Sequence, residues 1–159
     1  MTSFSLPSAV HMVAESVNRN NDAAKLFSSA LAAGRTHRLM ASIRRRPTTL
    51  RSLETNHGKG TSGRYAGLKL VAIDDIRGSE GRKADFDDQF NPLTDRMRQR
   101  WQSVAGAIAA GLDLPPVDLI QVGNSYYVRD GHHRVSVTRA MGGQEIEARV
   151  TVWKVDQEL

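Results

Sequence analysis

The chain contains no cysteine among its 159 residues. This absence excludes a disulfide-stapled scaffold and a metal centre built from thiolates. The sequence also has no apolar run that approaches ~18 residues, the length needed to cross a membrane, and its first ~30 positions lack the apolar core of a secretory signal. We therefore expect no membrane span and a cytoplasmic location.

Acidic residues are missing from the stretch between Arg35 and Leu53, which carries six arginines instead. Because the net charge of the chain is +5 and these arginines contribute +6, the remaining residues sum to −1. A local arginine cluster of this kind favours phosphate-rich partners, including DNA, RNA and an anionic membrane surface. The alternative, a solvated helix face that keeps the chain soluble, stays open. The candidate nucleic-acid-binding residues are Arg35, Arg38, Arg44, Arg45, Arg46 and Arg51.

Residues 1–63 are expected to form a helical, basic N-terminal region. Apolar residues at three- and four-residue spacing predict helical segments, with an interruption at Asn18–Asn21 and a kink or end at Gly34. Pro47 ends whatever is helical before it. The glycine-containing stretch from Thr55 to Arg64 indicates a loop or linker. The region before it is either a helical cap on the rest of the chain or a separate binding arm.

Residues 64–159 show the patterns of a small mixed sheet with packed helices. Apolar runs and strict apolar–polar alternation predict strands, which lie at Leu68–Ile73, Val117–Val122 and Glu145–Val152. Gly123-Asn124 is a turn pair that joins the second of these to a returning strand as a hairpin. An apolar stripe from Met97 to Leu112 predicts an amphipathic helix with Trp101 in the core. The fold class expected is therefore α+β (mixed α/β).

The most specific pattern in the chain is Asp130-Gly131-His132-His133-Arg134, between a predicted strand and a predicted helix. Gly131 allows a tight turn, and a helix that starts near His132 would direct backbone N–H groups and its positive dipole end at an anion. Arg134 adds donors suited to phosphate, and the two imidazoles can donate further hydrogen bonds. Adjacent histidines point ~100° apart around a helix, so we predict no metal site there. For Asp-Gly alone, the alternative is an ordinary turn and helix cap.

This turn resembles that of the ParB/sulfiredoxin superfamily (ParB-like nuclease domain), and the resemblance extends over about Leu68–Trp153. The resemblance depends on Asp130-Gly131-His132-His133-Arg134 and on the strand Glu145–Val150. Sulfiredoxins carry Gly-Gly-Cys-His-Arg at this turn, partition proteins carry Gly-Glu-Arg-Arg, and free-serine kinases carry Asp-Gly-His-His-Arg. The resemblance implies a ParB/sulfiredoxin-like domain at residues 64–159 whose turn holds nucleotide phosphates of ATP, ADP or CTP. His132 stands where sulfiredoxins have their reactive cysteine, so the absence of cysteine excludes sulfinic-acid reduction.

The resemblance also implies roles for residues in the loop after the first strand. In the family this loop supplies an arginine to the nucleotide, and Arg82 is the residue in that position here. Glu80 corresponds to the general base of the kinase branch, and a carboxylate near phosphate can instead hold Mg²⁺. Asp130 would hold a metal-bound water or the substrate hydroxyl. The alternative for Glu80 is an exposed, glycine-flanked loop.

An acidic cluster follows at Asp85-Phe86-Asp87-Asp88. Three carboxylates this close could bind Mg²⁺. Phe86 and Phe90 instead favour a turn that is anchored by its aromatic rings while the acidic side chains face water.

Two functions remain in competition, beside the possibility of a protein-interaction domain that keeps the fold with its site unused. The first is a nucleotide-binding domain for a nucleoside di- or triphosphate with Mg²⁺, in which any turnover would be NTP hydrolysis or phosphoryl transfer. The second is a DNA- or RNA-binding module, or a nuclease, that uses the arginine cluster without nucleotide turnover. A homodimer is left open in both.

Overall fold

The computed structural model of the chain describes residues 9–53, 63–81 and 84–154, and the side chains within them from residue 18 onward. The α-helices that lie within these residues are α1 (Ala9–Ile43), α2 (Arg98–Ala109) and α3 (His132–Ala140). The strands are β1 (Arg51–Ser52), β2 (Gly63–Ala72), β3 (Ile76–Ser79), β4 (Val117–Val122), β5 (Ser125–Asp130) and β6 (Glu145–Trp153). Short 3₁₀ helices, Ile73–Asp75 and Asp95–Met97, precede β3 and α2.

The strands form one mixed sheet in the order β1-β3-β5-β4-β6-β2. The pairs β1/β3, β3/β5 and β4/β6 are parallel, and the pairs β4/β5 and β2/β6 are antiparallel. The predicted hairpin is confirmed, because β4 and β5 pair around a turn in which Gly123 has φ 58°. A mixed sheet with packed helices confirms the α+β class. The carboxyl ends of the adjacent parallel strands β1, β3 and β5 therefore lie at the same edge of the sheet.

The three helices share one hydrophobic core. Phe27 of α1 and Trp101 of α2 are both fully buried, and their rings meet edge to face with centroids 5.4 Å apart. The indole Nε1–H of Trp101 donates to Ser136 Oγ of α3 at 2.8 Å, which satisfies the polar atom of a buried aromatic side chain. The core position predicted for Trp101 is confirmed. Since α1 supplies Phe27 to this core, it caps the sheet-containing part of the chain, and the boundary between residues 63 and 64 stays a prediction.

The predicted interruption of the first helix is wrong, because α1 runs without a break from Ala9 to Ile43. Asparagine lowers helix propensity by well under ~1 kcal/mol, which packing of Phe27 and its neighbours overrides. Gly34 does not end the helix either. A Cβ atom there would lie 3.1 Å from both Asn91 Cβ and the Pro92 carbonyl oxygen. Glycine therefore allows α1 to approach the loop that contains Asn91 and Pro92 closely.

The loop predicted after the first strand is also partly wrong, since Ile76–Ser79 forms β3, with Ile76, Gly78 and Ser79 buried. Gly78 explains the discrepancy: a Cβ there would lie 2.2 Å from the Arg51 carbonyl oxygen and 2.8 Å from the Tyr127 ring. From sequence alone, a glycine that allows two backbones to approach closely cannot be distinguished from a glycine in a turn.

The turn predicted to be anchored by Phe86 and Phe90 is confirmed, whereas the predicted exposure of its acidic side chains is wrong for Asp87. Phe86 and Phe90 are buried. Asp87 was expected to face water, yet its side chain is fully buried. A buried carboxylate requires compensating hydrogen bonds, and Asp87 accepts one from the Gln89 N–H at 3.0 Å and one from the Asn91 N–H at 2.8 Å.

Within the described ranges, no helix combines the length and the apolar character needed to cross a membrane.

Candidate functional site

We call residues Asp130–Arg134, which connect β5 to α3, the glycine corner. Gly131 adopts a left-handed conformation with φ 101° and ψ 22°. A Cβ atom on it would lie 2.5 Å from Val117 Cγ1, so both the backbone conformation and the space available require glycine. The Val135 N–H donates to the Gly131 carbonyl at 3.0 Å, and this bond closes the first turn of α3. The predicted change from strand to helix at one glycine is confirmed.

The glycine corner lies at the edge of the sheet where adjacent parallel strands end. β3 and β5 are parallel, with Ser79 aligned to Val128, and the Glu80 N–H donates to the Val128 carbonyl at 3.0 Å. In sheets of parallel strands, ligands bind outside the carboxyl ends of the strands, where loops lead into helix N-termini. This edge is therefore the part of the fold best arranged to receive an anion.

The two histidine side chains of the corner are turned into the protein. His132 and His133 are buried, with 4% and 8% of their surface exposed. The His132 ring stacks on Phe86 at 16° and its Nε2 lies 2.6 Å from Ser79 Oγ, while the His133 ring meets the edge of Phe86. The imidazoles thus pack the base of the turn, and their predicted hydrogen bonds to phosphate stay a prediction.

Arg134 is held by protein acceptors on two sides. Its guanidinium donates to the Pro115 carbonyl, to the Pro116 carbonyl at 3.0 Å and to Asp130 Oδ2 at 2.9 Å. The Arg134 side chain is 15% exposed and that of Asp130 is 64% exposed. These bonds fix the guanidinium against the segment that enters β4. Arg134 therefore supports the shape of the corner, and its predicted contact with phosphate stays a prediction.

A cavity of about 230 Å³ opens above the corner. Its lining includes all five corner residues and, from the facing side, Val104 and Arg100 of α2. The apolar stripe of this amphipathic helix leaves Arg100 on its exposed side. Helical periodicity shows which side of α2 is exposed, but it does not show that this side borders the corner, because the packing of α2 against α3 is set by contacts remote in sequence.

Glu80 lies at the end of β3, beside the glycine corner, and is paired with a cation. Its carboxylate accepts hydrogen bonds from Arg129 at 2.9 Å and 3.4 Å, and the Arg129 guanidinium also lies 5.9 Å from the centre of the Trp153 ring. Glu80 does not line the corner cavity described above. Its catalytic role stays a prediction, and Arg82, the other residue proposed for this side, lies outside the described residues.

The six arginines of the predicted nucleic-acid-binding cluster are all exposed. Five of them lie on the last turns of α1 and the segment after it, and Arg51 is on β1. Within the described part of the chain, none of the six forms an ion pair. Their charge is therefore available to an outside partner, which keeps both interpretations of the cluster open.

A second polar cluster joins α1 to the loop after β3, and the sequence predicted its two carboxylates but not its histidine. We call His37, Asp87 and Asp88 the His37 cluster. His37 Nδ1 lies 3.2 Å from Asp87 Oδ2 and 3.5 Å from Asp88 Oδ1. Burial raises the pKa of Asp88 above its ordinary value and the neighbouring Asp87 carboxylate adds to the rise, although His37 opposes it. Fifty residues separate the histidine from Asp87 in sequence, so spacing alone could not have found this cluster.

Comparison with known proteins gives one distant structural similarity. The chain is similar to the crystal structure of sulfiredoxin from Arabidopsis thaliana, with a TM-score of 0.35 and 19% sequence identity, over 52% of this chain and 82% of that one. No protein-family model and no curated protein sequence matches the chain. A similarity at this level is too distant to identify a ligand or an activity, and membership of the ParB/sulfiredoxin superfamily stays a prediction.

Proposed function

We propose that the chain binds the phosphate groups of a nucleoside di- or triphosphate at the glycine corner. The observation that carries the proposal is the corner itself: a left-handed glycine at the carboxyl end of a parallel strand that opens a nine-residue helix beneath a cavity. Helix N-termini offer amide N–H groups and a positive partial charge to anions. Arg100 adds a full positive charge on the opposite wall.

The size of the cavity limits which part of a nucleotide it receives. Pockets that enclose a complete drug-sized ligand have volumes of roughly 300–1,000 Å³, whereas this cavity measures about 230 Å³. The proposal therefore assigns the phosphates to the cavity and the nucleoside to the adjoining surface. The exposed Asp130 carboxylate is the group on the cavity wall that would hold Mg²⁺, because hard divalent cations prefer carboxylate oxygens. Any turnover would then be hydrolysis or phosphoryl transfer.

The decisive variant is Arg100→Ala rather than a change at Arg134. Arg100 is exposed, whereas Arg134 makes three hydrogen bonds within the fold, so only the first can be removed without loosening the corner. We expect calorimetric titration with ATP, ADP, CTP and GTP, each with and without Mg²⁺, to detect binding by the intact chain. Arg100→Ala should weaken it by about tenfold, the contribution of one charge-assisted contact to phosphate.

The control is Arg96→Ala, which removes an equally exposed arginine that does not line the corner cavity. Affinity should be unchanged in this variant. Absence of binding for all four nucleotides, or equal losses in the Arg96 and Arg100 variants, would refute the proposal.

The exposed arginines support a second candidate function, which is sequence-independent binding of DNA or RNA. Counterion release would make such binding strongly salt-dependent. Deletion of the N-terminal region cannot test this, since α1 supplies Phe27 to the core. We instead expect the triple change of Arg44, Arg45 and Arg46 to Gln in the full chain to preserve the fold while lowering affinity and flattening its salt dependence. Equal salt slopes for the variant and the parent chain would exclude this function.

A further inference from the structure

The His37 cluster brings two carboxylate oxygens close to one imidazole nitrogen. Both carboxylate contacts, at 3.2 Å and 3.5 Å, are made to the same imidazole nitrogen, Nδ1. One well-aligned hydrogen bond from Nδ1 accounts for the contact with Asp87 at 3.2 Å, and the Asp88 oxygen at 3.5 Å is a longer, electrostatic contact. A histidine that bridges two carboxylates by hydrogen bonds would present Nδ1 to one and Nε2 to the other. Two carboxylate oxygens that converge on one imidazole nitrogen also have the arrangement of ligands around an ion.

We propose that His37, Asp87 and Asp88 bind a divalent transition-metal ion, with Zn²⁺ as the ion that fits best. The three ligand atoms all lie within 4.8 Å of one another. Zinc binds imidazole nitrogen and carboxylate oxygen at ~2.0–2.2 Å, so two donors of a tetrahedral site lie about 3.3 Å apart. The separations of 3.2 Å and 3.5 Å between His37 Nδ1 and the two carboxylate oxygens agree with that value.

The Asp87 carboxylate is already oriented for this role. Its Oδ1 accepts the Gln89 and Asn91 backbone N–H groups, and its Oδ2 accepts the Asn91 side-chain N–H at 3.0 Å. Each carboxylate oxygen has two acceptor positions, so one position on Oδ2 remains, on the side of His37. Ligating carboxylates are commonly held in this way by outer hydrogen bonds.

The remaining ligands come from rigid parts of the fold. The Asp88 N–H donates to the Thr48 carbonyl at 2.8 Å, which ties the second aspartate to the segment between α1 and β1. His37 is on α1, which Phe27 anchors in the core. The Asp88 side chain is 38% exposed, so water can reach the ion and complete a fourth position. The ligand set favours zinc over magnesium, because magnesium rarely accepts imidazole and prefers oxygen and water.

This inference is independent of the proposed nucleotide site, because none of its three ligands lines the corner cavity. It is tested on the full, untagged chain after treatment with a chelator. Competition with a chromophoric chelator measures zinc affinity and stoichiometry, and the visible spectrum of the Co²⁺ form reports coordination geometry. We expect one tightly bound ion per chain, an intense four-coordinate cobalt spectrum and a rise in melting temperature with Zn²⁺, since the ion binds the folded chain.

Two variants remove ligands and one serves as control. Asp88→Asn and His37→Gln should each weaken zinc binding by at least about tenfold, as loss of groups that hold or orient a metal does. Asp85→Asn removes a carboxylate from the same loop that is not part of the cluster, and its affinity should match that of the parent chain. Asp88 is partly exposed, so its variant folds and decides the question even where His37→Gln does not. The absence of a stoichiometric ion in the parent chain, or equal affinities for Asp88→Asn and Asp85→Asn, would overturn the proposal.

Discussion

The glycine corner and the His37 cluster differ in how the chain assembles them. The corner is made of five consecutive residues at the start of α3. The cluster combines residues from distant parts of the sequence. Its Asp88 lines a polar cavity of about 570 Å³ that also contacts Arg139, near the end of α3. The corner's shape depends on backbone conformation at one glycine. The cluster depends on a buried carboxylate that joins a loop to α1. The glycine corner is therefore encoded by neighbouring residues, whereas the His37 cluster forms only when the chain folds.

This difference predicts where substitutions do the most damage. At the cluster, loss of the Asp87 side chain leaves three partly buried N–H groups without their acceptor, and unsatisfied buried groups cost up to ~1–3 kcal/mol each. At the corner, a substitution acts through local strain and contact with one neighbouring strand. We therefore expect the largest effects on stability at Asp87, followed by Gly131 and then by the side chains around them.

Asp87→Ala should produce the largest loss of stability. The variant removes a fully buried carboxylate that accepts the Gln89 and Asn91 backbone N–H groups and the Asn91 side-chain N–H. We expect the free energy of unfolding in urea, measured with a chelator present, to fall by about 3 kcal/mol or more. Asp85→Ala, in the same loop, should change it by less than about 1 kcal/mol. Similar losses in the two variants would mean that burial of Asp87 contributes little.

Gly131→Ala should be the next most damaging change, at about 2–4 kcal/mol, because strain and a clash act together. The new Cβ would lie 2.5 Å from Val117 Cγ1 at φ 101°. Gly142→Ala is the matched control, since Gly142 also has a positive φ, 77°, but has nothing within 4 Å of its Cβ position. It should cost only the conformational part, ~1–2 kcal/mol. Equal losses would show that α3 moves away from β4 and removes the clash.

Arg134→Ala should lower stability by about 1–3 kcal/mol, because the Pro115 and Pro116 carbonyls and the Asp130 carboxylate lose their donor. Arg100→Ala, on the facing wall of the same cavity, should change it by less than about 0.5 kcal/mol, as expected for an exposed side chain. This pair separates the residue that shapes the corner from the residue that is available to a ligand. A stability change at Arg100 that equals the change at Arg134 would remove that distinction.

The parts of the fold that the sequence predicted correctly are those encoded by local patterns. Alternation predicted β6, and the Gly123-Asn124 pair predicted the hairpin of β4 and β5. Glycine followed by a polar run predicted the start of α3 at residue 132. Each of these signals lies within about ten residues and depends on backbone preferences or on one amphipathic face.

The parts that the sequence did not predict depend on contacts between distant segments. β3 was not predicted because a glycine such as Gly78 is typical of a loop. Its role in the strand is to allow close approach of the Arg51 carbonyl, which the sequence does not show. Asp87 has the appearance of a surface acid until the Asn91 amides and His37 surround it. The inward orientation of the His132 ring likewise depends on Phe86 and Ser79 from another segment. Periodicity contains no information on such pairings.

The smallest expected effect concerns Glu80, and it tests whether this carboxylate is a structural partner. Glu80 and Arg129 have side chains that are 33% and 42% exposed, and partly exposed ion pairs contribute ~0.2–1 kcal/mol. A double-mutant cycle with Glu80→Gln and Arg129→Gln, measured by urea unfolding, should give a coupling energy in that range. The coupling energy should decrease in about 0.5 M salt, because ions at that strength screen surface charges. Because Arg129 also contacts the Trp153 ring, its single variant should lose more stability than the Glu80 variant. A coupling energy of zero would mean that the carboxylate is not restrained by Arg129, and it would strengthen the prediction that Glu80 acts on a bound substrate instead.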